Sequence, residues 1–280
     1  MWLKNPGEYT NLDLLGLCAG YEVRPRAKRK RWIVAHQEHR MVLPAAWAAQ
    51  HDDVFPKPPF LLRLDAHEDY AEEGFDYADL LHRIHDIEDC ILFANALMND
   101  DGGWVESAVK MGWVSDVLTI GVQKNCKPFR QVEDISSRKH SVAAIPWDLS
   151  CKVHSQTCGV LDHAVNSVLG GDSAEDQDEP IWLDIDLDVC FAILTENRLR
   201  LRGGCEFGAW LDTPLTSIGA SSGRDLGELL EKAVCCASLV TIATEPNFCG
   251  GHAAVAQAIE LLEQFFVFED NVFRGARMER

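Results

Sequence analysis

The chain has 280 residues, 47% hydrophobic and 25% charged, the make-up of a globular protein with one large core, and a single domain is expected over 1–280. Lys+Arg 26 against Asp+Glu 44 leaves a formal charge of -18. That balance argues against non-specific binding to nucleic acid or an anionic membrane and favours a cationic partner.

No run approaches the length of a membrane span, and Met1 to Pro6 carries no apolar leader segment, so a cytoplasmic protein is expected. Ten cysteines without a C-x-x-C pair are expected to be reduced and mostly buried, not to form a zinc ribbon.

Leu12, Leu14, Leu15 and Leu17, closed by Gly20, give a weak helix or strand signal over 8–20. The basic run Arg24 to Arg31 reads as a solvated loop. Trp32 to Ala35 is a short strand delivering His36 and His39, either of which would be a nitrogen ligand at a strand end, and Met41 to Gln50 reads as a helix. Turn residues over His51 to Pro59 lead to the strand Phe60 to Leu64. This strand ends in Asp65-Ala66-His67-Glu68-Asp69, three metal-grade side chains at alternate positions. On an extended chain Asp65 and His67 point the same way, and Asp69 can curl back from the loop.

Tyr70 to Asp79 reads as an acidic pocket lip. Leu80 to Met98 reads as a helix, with His82 and His85 on one face. A helix over Trp104 to Gly112, strands over Asp116 to Val122 and Ser141 to Trp147, and a helix over Cys158 to Leu169 follow, while 124–140 shows no pattern. After the acidic loop 170–179, Ile181 to Leu183 runs into Asp184, Asp186 and Asp188, carboxylates spaced by two. Phe191 to Thr216 is ambiguous. Asp225 to Ala237 is an amphipathic helix, Ser238 to Thr244 a strand ending at Glu245, and Ala253 to Phe268 the closing helix. The alternation implies an α/β fold, a three-layer α/β/α sandwich with a mostly parallel central sheet, and functional groups gather outside the carboxyl ends of such strands.

Carboxylates gathered at strand ends raise one another's pKa and resist desolvation unless cations compensate them. The oxygen-rich set with imidazole suits two divalent ions, manganese best; one zinc on a single Asp-His-Asp set is the alternative.

Asp65-Ala66-His67-Glu68-Asp69 resembles the Asp-Ala-His-x-Asp signature of arginases and agmatinases, and Asp184-Ile185-Asp186 resembles their second Asp-x-Asp. The resemblance implies the three-layer fold shared with histone deacetylases and a cluster of two Mn2+. It would place His39 and Asp69 on one ion, His67 and Asp186 on the other, and Asp65 and Asp184 between them, with Asp69 also holding a bridging hydroxide. The Gly-Gly-Asp-His segment of ordinary arginases is absent, and Leu187-Asp188 replaces their Gly-Leu-Asp-Pro continuation. More similar is a divergent arginase-like branch that shows the segments Glu38-His39-Arg40-Met41-Val42-Leu43-Pro44 and Leu183-Asp184-Ile185-Asp186-Leu187-Asp188. Some of its members are peptide arginases, which convert arginine residues of precursor peptides to ornithine and urea.

The implied reaction is hydroxide attack on the guanidinium carbon of an arginine-containing peptide, with Glu245 gripping the guanidinium and His82 protonating the leaving amine. Competing readings are a conventional ureohydrolase acting on free arginine or agmatine, a one-zinc deacetylase-like amidohydrolase, and a non-catalytic metal-binding scaffold.

Overall fold

The computed structural model describes residues 22–25, 32–70, 82–97, 103–123, 127–150, 153–170, 179–195 and 198–266. The weak signal over 8–20, positions 26–31 of the basic run, most of the pocket lip and most of the acidic loop lie outside the described residues.

Eight strands form one sheet: β1 (Glu22–Pro25), β2 (Trp32–His36), β3 (Phe60–Leu64), β4 (Val117–Val122), β5 (Phe129–Glu133), β6 (Lys139–Pro146), β7 (Ile181–Asp186) and β10 (Leu239–Ala243). Their spatial order is β1-β2-β10-β7-β3-β4-β6-β5. The six inner strands are mutually parallel, and β1 and β5 close the two edges antiparallel. A separate hairpin pairs β8 (Phe191–Thr195) with β9 (Arg198–Leu201).

Both faces of the sheet are covered, as a parallel sheet requires. Phe60, Leu62, Leu64, Leu183 and Ile185 pack under α4 (Ser155–Leu169), α5 (Gly204–Leu211), α6 (Leu226–Cys236) and α7 (His252–Leu262). Leu61, Trp182 and Leu239 pack on the other side under α1 (Val42–His51), α2 (Ile87–Ala96) and α3 (Trp104–Lys110). The molecule is thus the expected three-layer α/β/α sandwich with a mostly parallel sheet. None of its described helices is long and apolar enough to cross a membrane.

Several expectations need correction. The helix expected from Leu80 starts only at Ile87, because Asp86 caps it by accepting the Asp89 N–H at 2.8 Å. His82 and His85 therefore precede the helix and share none of its faces. Arg24 and Pro25 pair with Ile33 and Trp32 as edge strand, not loop; proline is tolerated on a sheet edge. Within the patternless 124–140 stretch lies β5, whose single buried side chain, Val132, leaves no periodicity to read. The ambiguous stretch resolves into the β8–β9 hairpin and α5.

Opposite the strands' carboxyl ends, the His163 ring lies 2.8 Å from Glu179 and 3.4 Å from Asp116. Hydrogen bonds to Asp116 and then Glu179 raise its pKa to about 10. At the carboxyl ends, Gly121 has φ +107, and a Cβ there would meet Val189 Cγ2 at 2.8 Å and the Asp65 carbonyl at 3.2 Å. Only glycine lets β4 pass that closely beneath the Asp65 turn.

Gly121→Ala is expected to lower stability to urea by about 2 kcal/mol, from positive-φ strain plus the clash. His163 is charged in the fold over a wider range than when unfolded, so its contribution is complete below about pH 6.5 and fades as pH rises towards 10. Urea midpoints of His163→Gln and the parent should accordingly differ at pH 6 and converge above pH 10.

Candidate metal centre

The ends of four adjacent parallel strands, β2, β10, β7 and β3, converge on one cluster. Register explains its base. Arg63 stands opposite Asp184 on one side and Thr119 on the other, and Asp184 stands opposite Thr241. These four polar residues form a buried row across the sheet on the face of α1 to α3. Asp184 accepts from Thr241 Oγ1 at 2.6 Å, from His39 Nε2 at 2.8 Å and from Arg63 Nε at 3.3 Å.

Two residues beyond Arg63, alternation places Asp65 on the same face. The strand stops at Leu64, and the turn is held by Asp65 N to the Ile120 carbonyl (3.1 Å), Ala66 N to Asp188 Oδ1 (3.0 Å) and His67 N to Asp65 Oδ1 (2.6 Å). Asp69, in the left-handed region at φ 45, curls back as expected. Its Oδ2 accepts from Arg63 Nη2 at 2.5 Å and Trp104 Nε1 at 3.1 Å, and lies 3.0 Å from His39 Nδ1.

After β7 the chain tightens into a 3-10 turn, Leu187–Cys190, because Asp186 Oδ1 accepts the Asp188 N–H at 3.0 Å. That turn brings Asp188 back over His67, with Nδ1 and Asp188 Oδ2 2.7 Å apart. On the other side, β2 ends at His36 and a 3-10 turn (His39–Met41) swings His39 inward. Its Nδ1 lies 2.9 Å from Asp186 and 3.5 Å from Asp65, and its N–H donates to Glu245 Oε1 at 3.2 Å. Between the two histidines, the structure brings His39 among the carboxylates. His36 instead contacts the Glu38 carbonyl at 2.9 Å, and burial, then His39, lowers its pKa to about 4.

His39, Arg63, Asp65, Asp184, Asp186 and Asp188 are buried, while His67 is 32% exposed. Burial opposes charging of His39, but Asp184, Asp186 and Asp69 together raise its pKa well above the ordinary value. Burial likewise works against Asp69, yet Arg63 and His39 hold its carboxyl far below the usual range. Asp65 is pushed well up by burial and by Asp69, and Asp186 up to about 6 by burial and Asp188. The cluster's own cations thus leave two of its carboxyls raised by burial and mutual repulsion, a repulsion that a divalent ion would relieve.

Three sets of donors lie close enough together to share an ion: His39 with Asp65 and Asp69, His39 with Asp186 and Glu245, and Asp65 with His67 and Asp188. The mixed imidazole and carboxylate chemistry of these buried sets fits a divalent metal. Of the expected ligands, His39, Asp65, His67, Asp69 and Asp186 all belong to such sets. Asp184 belongs to none and is spent on Thr241, His39 and Arg63. Glu245, in the left-handed region at φ 36, lines a cleft of ≈ 500 Å³ together with His39, His67, Asp69 and Asp186. His82 is exposed in the turn before α2 and is not among the residues lining the cleft.

Two participants, Arg63 and Trp104, escaped the sequence reading, and a third, Asp188, was read among the carboxylates without a ligand role. Arg63 was legible as a charge inside an apolar strand, two residues before Asp65. Asp188 continues the every-second-residue carboxylates, but in a turn and not in the strand. Trp104, whose ring lies 4.6 Å from the Arg63 guanidinium and 5.1 Å from His39, gives no local signal.

No protein-family profile matches the chain, and no curated protein matches it. Five chains of solved structures are similar. One is the crystal structure of Helicobacter pylori arginase, 15% identical, with a TM-score of 0.39 over 83% of this chain and 71% of that chain.

Thr241→Val removes a hydrogen bond to the buried Asp184 and the acceptor of Trp182 Nε1, 2.9 Å away. A loss of about 2 kcal/mol is expected. Asp184→Asn leaves His39 and Arg63 short of a counter-charge and should cost more, about 3–5 kcal/mol, both read from urea unfolding.

Proposed function

We propose that the chain is a metal-dependent hydrolase that converts arginine residues within a peptide to ornithine, releasing urea. The observation that carries this reading is the chemistry of the cleft above the centre. Carboxylates of Asp69, Asp186, Glu38 and Glu245 line it, and Arg40 is the one Lys or Arg among its described lining residues. A guanidinium suits such a cleft, because a planar cation with several donors pairs with carboxylates.

Arg40 itself is engaged, its Nη2 lying 2.5 Å from Glu38 Oε2 and its Nη1 donating to the Leu97 carbonyl at 3.0 Å. It is therefore poorly placed to read the α-carboxylate of a free amino acid. A peptide bears no such charge beside an internal arginine, and this favours a peptide over free arginine. A neutral acyl-lysine would gain nothing from the negative lining.

In this reading Glu245 grips the guanidinium. Its backbone N–H donates to the Gln37 carbonyl at 2.9 Å, and its Oε1 receives the His39 N–H, so the carboxylate is presented by two strand ends and not by a loose loop. Asp69, tied down by Arg63 and Trp104, borders the same space and orients the attacking water. Phe248, 45% exposed, meets the His67 ring edge-on at 5.4 Å and offers an apolar wall to the substrate's methylene stem. His67 and the carboxylates around it would hold the metal, manganese being best suited to oxygen-rich donors. When bound, a divalent ion there supplies Lewis-acid activation of water near neutral pH.

Manganese-loaded protein should remove about 42 Da from an arginine-containing peptide through guanidine hydrolysis, with urea released and Asp65→Asn inactive, as read by mass spectrometry. Glu245→Gln should raise KM for the peptide by roughly 10- to 100-fold with a smaller effect on kcat. Conversion of free arginine in preference to the peptide would reassign the substrate, and no mass change on either would sink the reading.

A further inference from the structure

We infer that Arg63 stands in the place of one metal ion, so that the centre binds a single divalent cation, on Asp65, His67 and Asp188. The inference rests on the proposed function only in taking the centre to be metallated, and it holds for any substrate.

Two ions would need two sets of donors, and both sets other than Asp65, His67 and Asp188 draw on His39, whose Nε2 is held by Asp184 at 2.8 Å; in the set with Asp186 and Glu245, Asp186 Oδ1 and Glu245 Oε1 already accept the backbone N–H groups of Asp188 and His39. One set is His39, Asp65 and Asp69. Its two carboxylates already converge on a cation: Arg63 Nη2 donates to Asp65 Oδ2 and to Asp69 Oδ2. The rest of the guanidinium is equally committed. Nε donates to Asp184, and Nη1 to the Glu68 carbonyl at 2.9 Å and Thr119 Oγ1 at 3.2 Å, with the Trp104 ring packed against it.

Arg63 is wholly buried, its Cα is fixed by pairing on both sides within the sheet, and a guanidinium does not lose its proton in proteins. A metal ligated by the same two oxygens would share them with a fixed positive nitrogen. Removing Arg63 from their company would break at least four charge-assisted contacts inside the protein.

The set formed by Asp65, His67 and Asp188 is different. Arg63 uses Oδ2 of Asp65, whereas Oδ1 faces His67, 3.9 Å from Nδ1. Asp188 Oδ1 is spent on the Ala66 N–H, but Asp188 Oδ2, fully buried, has no hydrogen-bond partner. It lies 2.7 Å from His67 Nδ1 without the geometry of a hydrogen bond. A buried carboxylate oxygen held by an ion pair to the His67 ring and by no hydrogen bond is costly. Here it lies beside an imidazole nitrogen, and Asp65, whose Oδ1 accepts only the His67 N–H among the contacts of that turn, completes the donor set of a single-metal site. A zinc or manganese ion seated there satisfies Asp188 Oδ2 and lies at the partly exposed end of the cluster, beside the cleft.

The test is metal content by elemental analysis of purified full-length protein, stripped with chelator, reloaded with excess Mn2+ or Zn2+ and desalted. One equivalent per chain is expected. Asp188→Asn should weaken binding roughly 100-fold or more, since it removes a ligand and not an outer partner, with circular dichroism unchanged. Arg63→Met, if it folds, should take up a second equivalent in the set that the guanidinium vacates.

Two equivalents in the parent protein would overturn the inference and leave the metallohydrolase reading standing. No metal in the parent would overturn both. One equivalent that Asp188→Asn retains at parental affinity would overturn the ligand assignment, and a folded Arg63→Met still limited to one would overturn the role of Arg63.

Discussion

Five aspartates are drawn into a protein interior at the ends of two neighbouring strands, and their mutual repulsion is the constraint the rest of the site must meet. Parallel strands put their carboxyl termini at one edge, so residues that follow the same rule on different strands meet there. Burying them without cations would raise their pKa values until most were neutral. The chain answers from within. Arg63, placed by strand alternation on the same face as Asp65 and by register beside Asp184, is a permanent charge in the midst of Asp65, Asp69 and Asp184. Thr119 and Thr241 complete the row, so that the polar layer crossing the sheet has its hydrogen bonds satisfied within the protein, the condition under which such a layer is tolerated in a core.

The surrounding architecture works to hold that arrangement still. Asp69 and Glu245, both lining the cleft, occupy left-handed backbone, a strained choice for residues other than glycine that persists where neighbouring contacts over-determine it. Those contacts are visible: Asp69 is pinned by Arg63 and Trp104, Glu245 by Gln37 and His39. The 3-10 turn after β7 links the two carboxylate-bearing segments through the bond from Ala66 to Asp188. The first strand's turn cannot shift without the second. Geometry of this kind is what a reaction needs from a scaffold.

Much of this was legible in the sequence. Apolar runs ending in Asp65 and Asp184 announced strands feeding a site, and the alternation of elements announced the layered fold. Local patterning is strong there because both faces of the inner strands are buried, giving continuous apolar runs. It fails where burial is slight, as in β5, or where capping overrides propensity, as at Asp86, which starts α2 late and strands His82 outside it. Two kinds of information were not local at all. That Asp184 spends itself on His39, Arg63 and Thr241 depends on register between strands far apart in sequence. That Asp188 rejoins the site depends on a single hydrogen bond, from its N–H to the Asp186 carboxylate, that turns an extended stretch into a 3-10 turn.

Many metal centres are assembled only by their metal, so that folding and loading are one event and chelation denatures the protein. A cation covalently tethered in the chain changes that order. With Arg63 gathering Asp65, Asp69 and Asp184 from the moment β3 and β7 pair, the pocket is organised by the polypeptide alone. Metallation of the proposed centre would then be a late and reversible step on a finished scaffold. The ion that a cell supplies last, and not the ion present during synthesis, would then decide which metal the proposed centre carries.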